Sequence, residues 1–359
     1  MGQAFPEESS DMKRQTFVLT FGVGLFAIVV SMVSLVVAQG GKTLTAAGGQ
    51  STDFQYRLTG PYTHKNLTIF LVHGRNLIKA KTFLTLQEAL VQRKVVVYET
   101  KSVNELSIEN LSNEDVYVQQ GDIVKGGQQD RMIGVDLIVP PKSGKMPISV
   151  FCVEHGRWSG RGNERAAVFS SSSDAVATKQ IKLAARANSQ GGVWESVTVA
   201  QDKLSRSVGG VVNSPVSTSS LQLAVENSKV QETADSYTKA LVNIADRSDD
   251  VIGYVFAING KVNSADIYSS NALFRKLWPK LLKANAVEAI AELQQHKFEP
   301  IKAESVKGFL SEAESARATE KDVTARTKML TREDDSNILF ETRDETQKTW
   351  VHRNYIKKN

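Results

Sequence analysis

Apolar residues run together or alternate in short stretches through the first half of the chain. "NLTIFLV" (66–72), "KVVVYET" (94–100), "LSIEN" (106–110) and "DVYVQ" (115–119) are rich in β-branched and aromatic residues, which suit a pleated surface. "MIGVDLIVP" and "MPISVFCV" continue in the same style, with "NLSNED", "KGGQQD" and "PPKSGK" as the turns between them. Only "FLTLQEALVQR" (83–93) has helical spacing here. Residues 54–169 are therefore expected to be strand-rich, as a sandwich-like antiparallel sheet.

After residue 170 the period lengthens. Residues 170–174 read as a polar loop that caps a helix over "AVATKQIKLAARA". "VWESVTVAQDKLSRS" and "LQLAVENSKVQETADSYTKALVNIA" also carry apolar residues at helical spacing, joined by a Gly/Ser/Val/Pro loop at 209–220. Asn259-Gly260 between two β-rich runs predicts a tight hairpin. Ser270 or Asn271 then caps a helix whose Leu273, Leu277, Leu281 and Ala284 share a face, and Pro279 is expected to kink it or start a second segment. Asp266, among apolar neighbours, is expected to meet an arginine or cap the following turn. The last residues supply two closing strands able to join either sheet. The predicted class is α+β: a strand-rich N-terminal half and a helix–hairpin–helix C-terminal half over 170–356, as one domain or two.

The N-terminus has a different texture. Residues 17–38 form an uncharged apolar run of 22 residues behind Lys13-Arg14. As a helix that run spans about 33 Å, enough for a bilayer core. It reads as a signal peptide ending at Val36-x-Ala38, or as an uncleaved membrane anchor; both place the remainder outside the cytoplasm, periplasmic or extracellular. Residues 39–53, rich in Gly, Thr and Ala, read as a linker to the domain at 54–356.

Composition narrows the classes. At 41% hydrophobic and 23% charged the chain is globular, and its net charge of +5 is spread along the sequence. No basic stripe marks a nucleic-acid partner. Cys152 stands alone, so no internal disulfide is possible. Asn66-Leu67-Thr68 and Asn110-Leu111-Ser112 match the N-glycosylation pattern. The five histidines lack ligand spacing, and no motif calls for a metal or cofactor.

Two Gly/Arg loops carry the candidate chemistry. Lys125, Gly126, Gly127, Gln129 and Arg131 form one; Arg157, Trp158 and Arg161, after a buried-looking strand, form the other. Glycines let backbone approach a ligand closely, and arginine forks grip phosphate or carboxylate. If both loops share one end of the sheet, they make a cationic cleft for a small anionic ligand. Alternatively, Arg131 and Arg157 pair with Asp122, Asp130 or Glu154 and lock the turns. Trp158 is a stacking surface or a core residue. Glu154 and Asp130 are weaker acid/base candidates. Cys152 lies on an apolar stripe with Ile148 and Val150, which favours a buried structural thiol over a nucleophile.

The stretch "QGDIVKGGQQDRMIGVDLIVPPKSGKMPISVFCVEHGRW" (120–158) resembles the signature of the ADP-ribosylglycohydrolase and rhodanese-phosphatase-superfamily-associated protein domain, an uncharacterised family. Gly121-Asp122, Gln129-Asp130-Arg131, Val139-Pro140, Pro147-Ile148-Ser149 and the run from Cys152 to Trp158 carry the likeness, and "GYVFAINGKVNSADIY" and "LFRKLWPKLL" are similar to its second block. The resemblance spans about residues 53–355, departs at His155 and in "WSGRGNER", and implies association with ADP-ribose and phosphate chemistry without an activity to transfer. Three functions stay open: an anion-binding module, a structural or partner-binding envelope protein, and a hydrolase acting on an ADP-ribose-like or phosphorylated substrate.

Overall fold

A computed structural model describes residues 42–43, 56–79, 81–294 and 297–358. The expected signal peptide or anchor at 17–38 lies outside the described residues, as does most of the linker at 39–53. Among the described residues no helix is long and apolar enough to cross a membrane.

The largest sheet has nine strands and draws on both ends of the domain. Its order is Lys42–Thr43, Ala318–Asp322, Thr327–Glu333, Asn337–Asp344, Thr349–Lys357, Lys261–Tyr268, Val251–Ile258, Leu67–His73 and Arg57–His64, antiparallel throughout. Every residue of Leu67–His73 is buried, because both faces of that strand are covered. Ile69 and Leu71 point to a core shared with the helix Asn271–Ala291, while Phe70 and Val72 pack with Phe309 and Leu310 of the helix Ala303–Ser315 on the opposite face.

The first half builds two smaller sheets around one core, as the alternation there predicts. The six-stranded sheet runs Phe169–Val176, Asp122–Gly126, Arg131–Ile133, Lys145–Cys152, Glu105–Asn110 and Val95–Glu99. The three-stranded sheet runs Leu137–Val139, Val116–Val118 and Leu84–Thr85, the last pair parallel. Val97, Ile108, Val118, Val124, Val139 and Val150 from the two sheets bury one another. Thr85 opens the short helix Leu86–Val91 with a reciprocal capping box to Glu88.

Several expectations change. Residues 170–174 belong to the strand Phe169–Val176, paired to Asp122–Gly126, and Thr178 occupies the cap position of the helix Lys179–Arg186. Cross-strand pairing there overrides a serine-rich sequence that reads locally as a loop. The helix–hairpin–helix reading covers only part of the C-terminal half. The hairpin Val251–Ile258 and Lys261–Tyr268 lies between helices Ser228–Leu241 and Asn271–Ala291, and the two expected closing strands are Asn337–Asp344 and Thr349–Lys357. Ala318–Asp322 and Thr327–Glu333 precede them, however, and together these form a meander that completes the nine-stranded sheet. Pro279 sits inside a single helix of 21 residues rather than splitting it.

The hairpin at Asn259-Gly260 is as predicted, with φ of 51° and 75° at the two turn residues. Ser270 caps the next helix, its hydroxyl accepting from the Leu273 amide. Both asparagines of the glycosylation patterns are buried. Asn66 is tied to the Ala289 carbonyl and the Tyr237 hydroxyl, Asn110 to three carbonyls, so neither amide is presented to an enzyme in the folded chain.

Candidate functional site

The two Gly/Arg loops do meet, but their guanidinium groups turn inward. Gly126 and Gly127 adopt φ of 117° and 55°, and a Cβ on Gly127 would lie 2.1 Å from the Phe169 ring. That tight bend aims both of their carbonyls at Arg157, which donates to Gly126 at 3.1 Å and Gly127 at 3.0 Å. Its other donors meet Glu154 in a fork, at 2.7 and 2.6 Å. Arg161 donates to both Asp130 oxygens at 3.0 Å, to Glu154 at 3.3 Å and to Glu164 at 3.1 Å. Lys125 sits on both oxygens of Glu226, at 2.8 and 2.7 Å.

Arg131 is fully buried: it donates to the Gln129 carbonyl at 2.8 Å, lies 3.7 Å from Glu99, and stacks at 5.5 Å beneath Trp158. Trp158 itself is 47% exposed, so it lids an arginine rather than filling the core. Four cations (Lys125, Arg131, Arg157, Arg161) thus face five carboxylates (Glu99, Asp130, Glu154, Glu164, Glu226). Of the two arrangements the sequence allows, this is the locked one, with the partners of Arg131 and Arg157 being Glu99 and Glu154. Asp122 instead takes Lys280 at 2.8 Å.

Asp130 and Glu154 are themselves closed in. Glu154 accepts from the Asp130 amide and from Ser217; Asp130 accepts from Ser220 at 2.8 Å and the Gly126 amide at 3.0 Å. Burial and the neighbouring Glu154 charge raise the Asp130 carboxyl; Glu154 is lowered, because bonds from Arg157 and Ser217 outweigh its burial. The serines come from the loop before helix Leu221–Val225, which reads from sequence only as a connector. Beside the cluster, a depression of about 400 Å³ is lined by Arg161, Gly162, Asn163, Glu164, Ser214, Val216 and Leu223, and its charged groups are already paired. Cys152 is buried as expected, and burial pushes its thiol up to about 11. Among the described residues no cluster of His, Cys, Asp or Glu is placed to hold a metal.

A second polar site lies where the helices meet the nine-stranded sheet. Lys179 and Lys182, one turn apart on helix Lys179–Arg186, line a cavity of about 20 Å³ with Tyr254, Ser264, Asp266, Asn285 and Glu288. Lys182 is 8% exposed and its charge faces Asp266 and Glu288, while that of Lys179 faces Glu288 and Glu292; among the described residues neither ammonium donates a hydrogen bond. The Asn285 amide nitrogen, beside the Tyr254 hydroxyl, is buried without an acceptor in hydrogen-bonding geometry. Burial lowers the Lys179 ammonium and raises the Glu288 carboxyl. Glu288 accepts from Asn263 at 2.9 Å.

Asp266 connects this cavity to a sealed charge network. It accepts from Tyr254 and Asn354, both at 2.8 Å, and faces His352 Nε2 at 3.1 Å; His352 Nδ1 lies 2.7 Å from Asp136. Burial would raise Asp266, but the bond from His352 and then the Lys182 charge outweigh it and hold the carboxyl at about 2. Neither an arginine nor a helix cap, as expected from sequence, is its partner. A signal for this site was present: Glu288 continues the Leu281, Ala284 stripe at helical spacing, a carboxylate on an otherwise apolar face.

Comparison with known proteins gives one match. No curated protein and no solved structure matches the chain. A family model described as the ARG and Rhodanese-Phosphatase-superfamily-associated Protein domain matches residues 55–356, a span that takes in the interlocked loops, the lysine cavity and all but the first strand of the large sheet. The chain belongs to that family.

Proposed function

We propose that this domain is a binding module for a small anionic ligand, and that the acidic group of the ligand enters the cavity of Lys179, Lys182 and Asn285. The Gly/Arg loops then serve as an internal lock that holds three chain segments together. One observation carries the reading: the Lys182 ammonium is nine-tenths buried and lines a polar cavity, where Asp266 and Glu288 face its charge but, among the described residues, nothing accepts a hydrogen bond from it. A buried donor left without an acceptor is costly even beside opposite charge. A fold retains such a group where a ligand satisfies it, and perturbed lysines and carboxylates gather at such places. Lys179, Lys182 and the Asn285 amide nitrogen bring donors without acceptors to a cavity that Asp266 and Glu288 also line, and a ligand acceptor would meet them.

The test is ligand-induced thermal stabilisation of the full chain by sodium acetate, sodium phosphate and ADP-ribose. Wild type is expected to be stabilised by at least one of them. Lys182→Met should lose roughly ten- to a hundredfold in affinity, the worth of a charge-assisted bond, while its unliganded stability stays level or rises. Equal stabilisation of Lys182→Met, or no response of wild type to any anion, would overturn the reading. The lock at the loops supports a structural role for the signature, with Asp130 and Glu154 both engaged by arginines. Export belongs to the same proposal, resting on the apolar run 17–38 behind Lys13-Arg14; a mature N-terminus after Ala38 in the exported fraction is the expected finding.

A further inference from the structure

A hydroxyl, an imidazole and a carboxylate line up at one edge of the nine-stranded sheet. Arg57 and Thr59 share a face of the edge strand Arg57–His64, and Arg57 pairs with His73 on the neighbouring strand, which puts His73 diagonally beside Thr59. Thr59 Oγ1 lies 2.8 Å from His73 Nε2. His73 Nδ1 lies 2.7 Å from Oδ1 of Asp250, which immediately precedes the strand Val251–Ile258.

The partners fix the hydrogen positions. Asp250 also accepts from Ser248 and, at 2.8 Å, from Arg57. Burial opposes its charge, yet the bonds from His73, Ser248 and Arg57 hold the carboxyl below its usual range, so it is ionised. A carboxylate oxygen this close to a ring nitrogen needs a hydrogen between them, which places that hydrogen on Nδ1. Arg57 Nη2, at 2.8 Å from both Nδ1 and Asp250 Oδ2, therefore donates to the carboxylate. Nε2 of the neutral ring keeps a lone pair aimed at the Thr59 hydroxyl, the arrangement that activates a hydroxyl as a nucleophile.

The site opens to solvent. His73 is buried, but the side chains of Arg57 and Asp250 are half-exposed and Thr59 is half-buried. Among the described residues no strand lies outside Arg57–His64, and Gly60 follows Thr59 with no side chain to shield the hydroxyl. Arg57 bonds through Nη2 alone among the described residues, so Nε and Nη1 remain to meet an oxygen on which negative charge develops.

We propose that Thr59, His73 and Asp250 form an acyl-transfer site for small carboxylic esters, independent of the lysine cavity. Thr59 Oγ1 attacks the acyl carbon while its proton passes to His73 Nε2. The ester C–O bond breaks, the leaving alcohol takes that proton, and the acyl group stays on Thr59. Water then attacks the acyl-threonine carbonyl and gives one proton to Nε2. The departing Thr59 oxygen recovers it, and the carboxylic acid is released. Asp250 holds the Nδ1–H tautomer and stays charged throughout. An open, shallow setting favours a small acyl group at the end of its substrate.

The experiment is turnover of p-nitrophenyl acetate by the full chain, together with fluorophosphonate labelling and peptide mass mapping. It compares wild type, Thr59→Val, Thr59→Ser and His73→Gln, with thermal melts confirming that each variant folds. Wild type should release p-nitrophenol above the buffer rate and carry the label on Thr59. Thr59→Val should stay unlabelled and fall to the buffer rate, while Thr59→Ser keeps both label and turnover. His73→Gln should lose about a hundredfold or more, the usual contribution of a general base. A purely structural relay predicts lower melting temperatures in the variants, with neither turnover nor label in wild type. That result, or wild-type turnover by Thr59→Val, overturns the proposal.

Discussion

His352 is held between Asp136 and Asp266 with only 1% of its surface exposed, and the stacked Tyr268 ring covers it at 4.5 Å. Burial opposes its charge, but the two carboxylates prevail and raise the imidazole to about 9. A raised histidine stabilises the fold fully below its ordinary value of 6.5, and that stability is lost as pH rises through 9. Asp266 acts in the opposite sense: held at about 2, it contributes above the usual carboxylate range and is lost as pH falls through its folded value. Unfolding free energy measured by urea titration should therefore drop by the order of 3 kcal/mol between pH 6 and pH 10. His352→Gln should lack most of that drop while being less stable at neutral pH, since two carboxylates lose their shared cation. A variant with the wild-type alkaline slope would show that another group titrates. In the sequence, His352 is one of five scattered histidines, and nothing near it announces Asp136 or Asp266. Those partners lie 216 and 86 residues away. Residue types are readable; the pairs they make across the sheets are not.

Elements fixed by neighbouring residues were the legible ones. The capping box at Thr85, the cap at Ser270 and the turn at Asn259-Gly260 each depend on contacts within a few positions, so composition and spacing suffice. Gly260 adds a tertiary demand: a Cβ there would lie 2.2 Å from the Glu299 carbonyl oxygen, and its φ of +75° disfavours any side chain. Gly260→Ala should cost about 2 kcal/mol or more, above the usual penalty for positive φ alone, as read from the denaturation midpoint at unchanged slope. A cost below about 1 kcal/mol would mean that the Glu299 segment moves aside at little expense. Where partners are remote, local reading failed. The strand Phe169–Val176 looks like a serine loop until Asp122–Gly126 is laid beside it, and the charged stretches Ala318–Asp322 and Thr327–Glu333 become strands only beside the expected closing strand Asn337–Asp344. Pro279 was expected to interrupt its helix, yet Leu277, Trp278, Leu281 and Leu282 bury around it and keep the element continuous.

The domain is closed by interlocking rather than by a seam between halves. Strands from residues 57–73 sit in the sheet completed at 349–357, and the charge cluster ties segments near 126–131, 154–165 and 217–220 to one another. The candidate loops were legible as residues, because glycines beside arginines mark a special bend, but their direction was not. Outward arginines and inward arginines have the same sequence, and only the positions of Glu99, Asp130, Glu154 and Glu226 separate them. Energetics distinguishes a lock from a ligand site. In a lock, removing one partner strands the other's buried charge, at about 3–5 kcal/mol, and removing both costs much less than the sum. Arg157→Met and Glu154→Gln should each destabilise the unliganded protein strongly, and a double-mutant cycle should return a coupling of about 2–3 kcal/mol. For a ligand-gripping arginine the single variant would leave unliganded stability intact and the coupling would be near zero. Additive, mild effects at Arg157 and Glu154 would therefore return the anion to the Gly/Arg loops and remove the reason for seeking it at Lys182.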